Sequence, residues 1–160
     1  MVSLHTLTPD DWPLWREARI AALTDAPHAF KARLADWHRG GRQQWRARLA
    51  IPGSLNVVAL RKGLPVGMVR GVPGDGGTSE LRSLWVSPAA RGDGVADQLI
   101  EAVTTWALRS GSTTLKLAVV PGNRPATALY RRHGFVTAEE PGDLLPDGVT
   151  RQQVMTRRLR

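Results

Sequence analysis

Residues 90–100 read ARGDGVADQLI, an arginine and two glycines set directly before an apolar series that recurs every three to four residues. At a helix start the first backbone N–H groups have no intrahelical partner and the helix dipole is positive, so such a turn suits a bound phosphate. Gly92 and Gly94 let the backbone approach the anion, and Arg91 adds a forked, charged donor. A tight connection that holds no ligand has the same composition. Two nucleotide patterns fail on spacing: a P-loop needs Lys followed by Ser or Thr after its glycines, and a dinucleotide turn needs glycine at position 97, which is Asp.

The composition bounds the remaining chemistry. The 160 residues contain no Cys, which excludes disulfides, thiolate zinc sites and an acyl-cysteine intermediate. His5, His28, His38 and His133 are scattered, with no carboxylate cluster at metal-ligand spacing, so no metal is expected. The formal net charge is +8, carried mostly by Arg, and attracts anions of any class, whether nucleic acid, membrane surface or a small phosphorylated ligand. No stretch approaches the ~18 consecutive apolar residues of a membrane span, and MVSLHTLTPDD lacks the basic start and apolar run of a secretory signal. A soluble, cytoplasmic protein is expected, folded as a single domain over residues 1–160.

The elements that must position the turn follow from periodicity. Residues 3–7 form an opening strand, and T-P-D-D at 8–11 starts a helix, with Thr8 as N-cap and Asp11 closing the box. Leu14, Ala18, Ala21 and Ala22 give that helix its apolar face, and Asp25-Ala-Pro27 ends it. A shorter helix covers 42–50, with Trp45 and Leu49 one turn apart. LNVVALR at 55–61, the Lys62-Gly63 turn and LPVGMVRGV at 64–72 predict a hairpin, and SELRSLWVS at 79–87 a third antiparallel strand. Val95, Leu99, Val103, Trp106 and Ala107 line one face of a helix that ends at Gly111. TLKLAVV at 114–120 reads as a buried strand, and reaching it through a helix makes the sheet parallel there. A short helix from about Pro125 to His133 and two closing strands, FVTAEE and TRQQVMTRRL, complete the chain.

R-x-x-G-x-A at 91–96 resembles the Q/R-x-x-G-x-G/A signature of the GCN5-related N-acetyltransferases (GNAT), whose turn and helix hold the pyrophosphate of acetyl-coenzyme A. SELRSLWVSPAARGDGVADQLI is similar to the family's strand-turn-helix unit, and VVPGNRPATALYRRHGF at 119–135 to its downstream unit. With the hairpin and the first helix, the resemblance covers nearly the whole chain in the family's order. It implies an α/β fold with a mixed sheet of six to seven strands, flanked by about four helices, in which strands four and five are parallel and splayed.

The activity implied is acetyl transfer from acetyl-coenzyme A, as cosubstrate, to a primary amine. Such a reaction needs a neutral amine, stabilisation of the developing oxyanion and a proton for the departing sulfur. An amine of pKa near ~10 is almost fully protonated at neutral pH whereas a thiol of pKa ~8.5 leaves readily, so the base matters most. By the resemblance Glu80 is the general base, directly or through a water, and Tyr130, the one Tyr in the chain, the general acid. A solvated carboxylate at a strand end and an aromatic packed on the sheet are the plain alternatives. Backbone groups of Leu84, Trp85 and Val86 would pair with the pantetheine arm as an added strand. Arg91, Gly92, Asp93, Gly94, Val95 and Ala96 would surround the pyrophosphate, Asn123 would hydrogen-bond the cofactor unless it is simply a helix cap, and Arg132, with Arg131, would meet the nucleotide 3′-phosphate or stay solvated. Asp93 and Asp97 depart from the family pattern, in which those positions are often basic, and set two carboxylates beside the proposed pyrophosphate.

The acceptor expected is a small amine-bearing molecule, with a protein N-terminus or lysine as alternative. The acidic run EEPGDLLPD, with Glu139, Glu140, Asp143 and Asp147, would draw a cationic amine or simply be solvated. Two rivals of other classes are a catalytically silent acyl-coenzyme A sensor and a nucleic-acid surface on residues 31–48, which mix basic residues with Trp37 and Trp45. Buried tryptophans and solvated arginines are the simpler reading of that stretch, so neither nucleic acid nor membrane is expected as partner. A homodimer stays open, and heavy Arg and Ala use suggests a bacterium with a GC-rich genome.

Overall fold

In a computed structural model that describes residues 1–25 and 41–159, seven strands form one mixed sheet in the order β1-β2-β3-β4-β5-β7-β6. β1 (Val2–Thr6) leads through a 3-10 turn (Pro9–Asp11) into α1 (Trp12–Asp25), and α2 (Arg42–Leu49) precedes β2 (Leu55–Arg61), β3 (Leu64–Pro73) and β4 (Thr78–Val86). A second 3-10 turn (Pro88–Ala90) precedes α3 (Val95–Arg109). β5 (Thr114–Val119), α4 (Arg124–Arg132), β6 (Val136–Leu144) and β7 (Arg151–Arg158) follow.

Local chemistry accounts for most boundaries. The Asp11 carboxylate accepts from the Thr8 N–H at 2.8 Å and the Thr8 hydroxyl at 3.2 Å, which closes the expected start of the first helix with a 3-10 turn in place of an α-turn. Lys62 and Gly63 both have positive φ, 53° and 78°, the geometry of the tight hairpin turn that suits right-twisted strands. The last hairpin departs from expectation. β6 continues beyond the expected FVTAEE strand, past Glu140 through Pro141, Gly142 and Asp143 to Leu144. It is an edge strand with register shifts on both sides of Pro141, and an edge is where a proline and bulges are tolerated.

Two apolar clusters cover the two faces. α3 lays Val95, Leu99, Ile100, Val103 and Ala107 against Val57, Val69, Leu81, Leu115, Leu117 and Met155. On the other face α1 and α2 bring Trp15, Ala18, Ala22, Trp45 and Leu49 onto Val58, Met68 and Trp85. Trp45 is 1% exposed, so it offers no stacking surface to a nucleic acid. Trp37 lies outside the described residues.

Between β4 and β5 the sheet comes apart. The parallel pairing spans Thr78–Glu80 against Thr114–Lys116 and stops there, while β5 stays paired with β7 through Val119. β4 is also bulged. Met68 faces Trp85 and Arg70 faces Arg82 across β3, so two β4 residues, Ser83 and Leu84, stand opposite one, and Ser83 takes a φ of 59°. The bulge breaks simple alternation: Glu80 and Arg82 share the α1 face with Trp85, whereas Leu84 and Val86 pack with the α3 cluster.

Candidate active site

The turn from β4 to α3 is shaped by two positive-φ glycines, Gly92 at 88° and Gly94 at 80°. Gly94 is the N-cap of α3 in the left-handed conformation and offers no side chain to cap the helix, so the first-turn N–H groups keep their donor capacity. A Cβ built on either glycine would meet nothing within 4 Å. Glycine is therefore required here by backbone conformation, and the space in front of the turn is open.

The two acids that depart from the family pattern are drawn into ion pairs. Asp93 Oδ2 lies 2.5 Å from Arg61 Nη2 on β2, and the same guanidinium reaches the Ala89 carbonyl at 3.3 Å. Asp97 Oδ1 pairs with Arg132 Nη2 at 2.8 Å and His133 Nε2 at 2.6 Å. Hydrogen bonds from His133 first and Arg132 second hold the Asp97 carboxyl below its ordinary range. Each carboxylate is thus answered by a cation, which lowers the repulsion that the sequence alone suggested between these acids and a phosphate.

Arg91 is placed differently from the expectation that it simply contacts phosphate. Its Nε donates to the Val86 carbonyl at 3.2 Å and its Nη2 to Asp25 Oδ2 at 2.9 Å. The same Asp25 oxygen accepts from the Trp85 indole at 3.0 Å. Asp25, read from the sequence as a helix stop, therefore ties the end of α1 to both the bulged strand and the turn.

Along the splayed edge stand Leu84, Trp85 and Val86, whose strand has no β5 partner at this level. Trp85 is buried in the α1 cluster, and Leu84 and Val86 are partly buried against the α3 cluster. Glu80 lies at the last paired level, with a side chain 26% exposed. Both carboxylate oxygens accept from Arg82, Oε1 from Nε at 3.0 Å and Oε2 from Nη2 at 3.1 Å. A carboxylate has about four lone-pair sites, so this fork leaves acceptor capacity for a water or an amine.

Tyr130, on α4, is 8% exposed and shares the α3-side cluster with Ala90, Val95 and Val119. The Phe135 ring meets it edge-on, with centroids 5.9 Å apart. Burial pushes its phenol well above the ordinary range, so it stays protonated at every working pH. Asn123 takes the helix-cap role that was its plain alternative: Oδ1 accepts from the Ala126 N–H at 3.3 Å, which leaves its amide nitrogen as the end that can face a ligand. Arg132 is exposed and held at the α3 start by Asp97, while Arg131 is exposed near the end of α4.

Two of the four acids of the expected rim are held in local contacts. Glu140 pairs with Lys116 at 3.2 Å, and Asp147 caps its own turn through the Val149 and Thr150 N–H groups and the Thr150 hydroxyl. Sequence reasoning also missed three arginines on the α1 face. The signal for one was visible: Arg19 falls between Trp15, Ala18 and Ala22 on the buried side of α1, where a charge has no cheap place.

Comparison with known proteins agrees with this geometry. Over 100 residues the chain is 32% identical to an IAA acetyltransferase from Azospirillum brasilense, covering 62% of this chain and 65% of that protein. Over 60 residues it is 45% identical to a mycothiol acetyltransferase from Jonesia denitrificans, covering 38% of this chain and 19% of that one. The match therefore spans less than two thirds of either relative. A PaiA N-acetyltransferase from Thermoplasma acidophilum, solved in complex with coenzyme A, superposes with a TM-score of 0.76 over 99% of both chains at 14% identity, a likeness of fold. No described helix is long and apolar enough to cross a membrane. The profile of the Acetyltransferase (GNAT) family matches residues 10–135, and the chain belongs to that family.

Proposed function

We propose that the protein is an N-acetyltransferase that moves the acetyl group of acetyl-coenzyme A to a primary amine of a small molecule. The observation that carries the reading is the junction of two features: a gap between β4 and β5 beyond Glu80 and Lys116, and an open, uncapped α3 N-terminus at Gly94. Donor amides, a clear space before Gly92 and Gly94, and Asp93 and Asp97 already paired with Arg61 and Arg132 fit a diphosphate.

When bound, the cosubstrate supplies an acetyl thioester. The exposed edge of Leu84, Trp85 and Val86 pairs with its extended arm as an added strand and orients it. The residues from Arg91 to Ala96 form the diphosphate turn, in which Arg91 mainly braces the backbone. Asn123 holds the arm through its amide nitrogen, and Arg132 stands where a further phosphate would approach. Glu80 takes the proton of the attacking amine, through a water or directly, as the N–C bond forms and the C–S bond breaks. Tyr130 donates a hydrogen bond to the departing sulfur. Because its phenol is raised above an ordinary thiol, it steadies the thiolate more than it surrenders a proton.

Acetyl-coenzyme A should raise the unfolding temperature in a dose-dependent way. A screen of amines for thiol release should then return at least one acceptor. Failure of the cosubstrate to stabilise the fold refutes the reading; stabilisation with no thiol release from any amine, peptides included, favours a sensor.

A further inference from the structure

The α1 face of the sheet gathers positive charge at depth. Arg19 is 7% exposed within α1. Arg70 on β3 stands opposite Arg82 on β4, and Arg48 joins them from α2. Arg70 lies over the Trp15 ring at 6.0 Å, and its Nε donates to Asn56 Oδ1 at 3.1 Å. Its buried Nη2 has no hydrogen-bond partner among the described residues. Burial first, and repulsion second, from Arg70 and Arg48 on Arg19 and from Arg82 and Arg48 on Arg70, pull both from 12.5 to about 10. Arg82 spends its fork on Glu80.

A guanidinium half-buried beside other cations is costly, and packing alone would be better served by an apolar residue than by Arg70 on Trp15. A planar guanidinium with an unused buried N–H is, however, the natural receptor for a carboxylate or a phosphate. Arg82 and Glu80 are two residues apart on one face of β4, about 7 Å along the strand, so an anion on Arg70 would sit within a short spacer of the group assigned as base.

We infer that the acceptor amine carries an anionic group, a carboxylate or a phosphate, which docks on Arg70 among Arg19, Arg48 and Arg82 and so presents the amine to Glu80. For the amine the inference rests on the acetyltransferase reading; for the anion subsite it does not. It narrows the acceptor to amino acids and amino phosphates, and it excludes polyamines, which the cluster would repel.

Two measurements separate the inference from the reading beneath it. In the first, thermal unfolding at fixed ionic strength is followed with acetate or inorganic phosphate, using chloride as control. The wild type should gain several degrees, and Arg70→Gln should lose that gain while keeping its response to acetyl-coenzyme A. No specific gain in the wild type, or an equal gain in Arg70→Gln, overturns the subsite whatever the enzyme does. In the second, thiol release is compared within matched pairs, β-alanine against propylamine and phosphoethanolamine against ethanolamine. The anionic member should show kcat/KM at least tenfold higher, the carboxylate and phosphate pairs should tell which anion is preferred, and Arg70→Gln should bring the ratio towards one through KM of the acceptor, with Arg70→Lys restoring part of it. Equal or better turnover of neutral or cationic amines overturns the inference and leaves the acetyltransferase reading intact.

Discussion

Replacing Asp25 by alanine should loosen the site from outside it. One carboxylate oxygen of Asp25 accepts from the Trp85 indole at 3.0 Å and from Arg91 Nη2 at 2.9 Å. The two contacts differ in worth. Trp85 is 6% exposed, so Asp25→Ala strands a buried N–H, at a cost of about 1–3 kcal/mol. The Arg91 side chain is 57% exposed, and screening holds that ion pair to about 1 kcal/mol or less. The sum is about 1–4 kcal/mol, which at about 2–4 °C per kcal/mol for a domain of this size lowers Tm by roughly 2–16 °C. Asp25→Asn keeps an acceptor for the indole and gives up the ion pair, so it should recover more than half of the loss. In a Trp85→Phe background, where the donor is gone, Asp25→Ala should cost at least about 1 kcal/mol less than in the wild type. KM for acetyl-coenzyme A should rise with Asp25→Ala, because the bulged strand and the turn lose their common anchor. Equal losses for Ala and Asn, or strict additivity with Trp85→Phe, would show that the indole bond is not what Asp25 contributes.

Other expectations concern chemistry and packing. Glu80→Gln should lower kcat/KM by about 10²-fold or more at neutral pH with little change in KM for acetyl-coenzyme A, since base catalysis contributes on that scale; full turnover removes Glu80 from the mechanism. Tyr130→Phe deletes a hydrogen bond to a developing charge, about 1.5–3 kcal/mol, and should cost roughly 10- to 10²-fold in kcat. With the phenol raised by burial, the wild-type rate profile should show no alkaline fall due to Tyr130 near pH 10. Asp97 has its folded pKa lowered from 3.8, so its contribution to stability is present above that value and is lost as pH falls below it; chemical denaturation of Asp97→Asn should show a shallower loss between neutral pH and pH 3 than the wild type. Gly71→Ala would put a Cβ 2.6 Å from Trp106 Cζ3, and the overpacking should cost about 1–3 kcal/mol in denaturant unfolding.

The parts of the fold that local rules govern were legible in the chain. The 3.6-residue repeat from Val95, the Lys62-Gly63 turn and the β-rich run at Thr114 each carry their own cause, and each element forms within a residue or two of its expected place. What local rules do not govern was not visible. Nothing in TRQQVMTRRL says that β7 enters the sheet between β5 and β6, because that choice is made by burying Val154 and Met155 against strands far off in sequence. The bulge at Ser83 could not be foreseen from alternation, since a polar Ser between Arg82 and Leu84 reads equally as either face.

The site divides along the same line, and the division explains why the proposed anion subsite could not be read from the chain. The phosphate turn lies in one continuous segment, so its glycines and helix start announce it. The α1 face of the sheet, where the acceptor is proposed to dock, is assembled from α1, α2, β3 and β4, so its charge appears after folding, when Arg19, Arg48, Arg70 and Arg82 converge. Two of the acids that stand close in the sequence, by contrast, are engaged locally, Glu140 by Lys116 and Asp147 by its own turn. A net positive chain told of an anionic partner; on the inference above that partner includes the acceptor as well as the cosubstrate, because Arg70 lies on the opposite face of the sheet from α3.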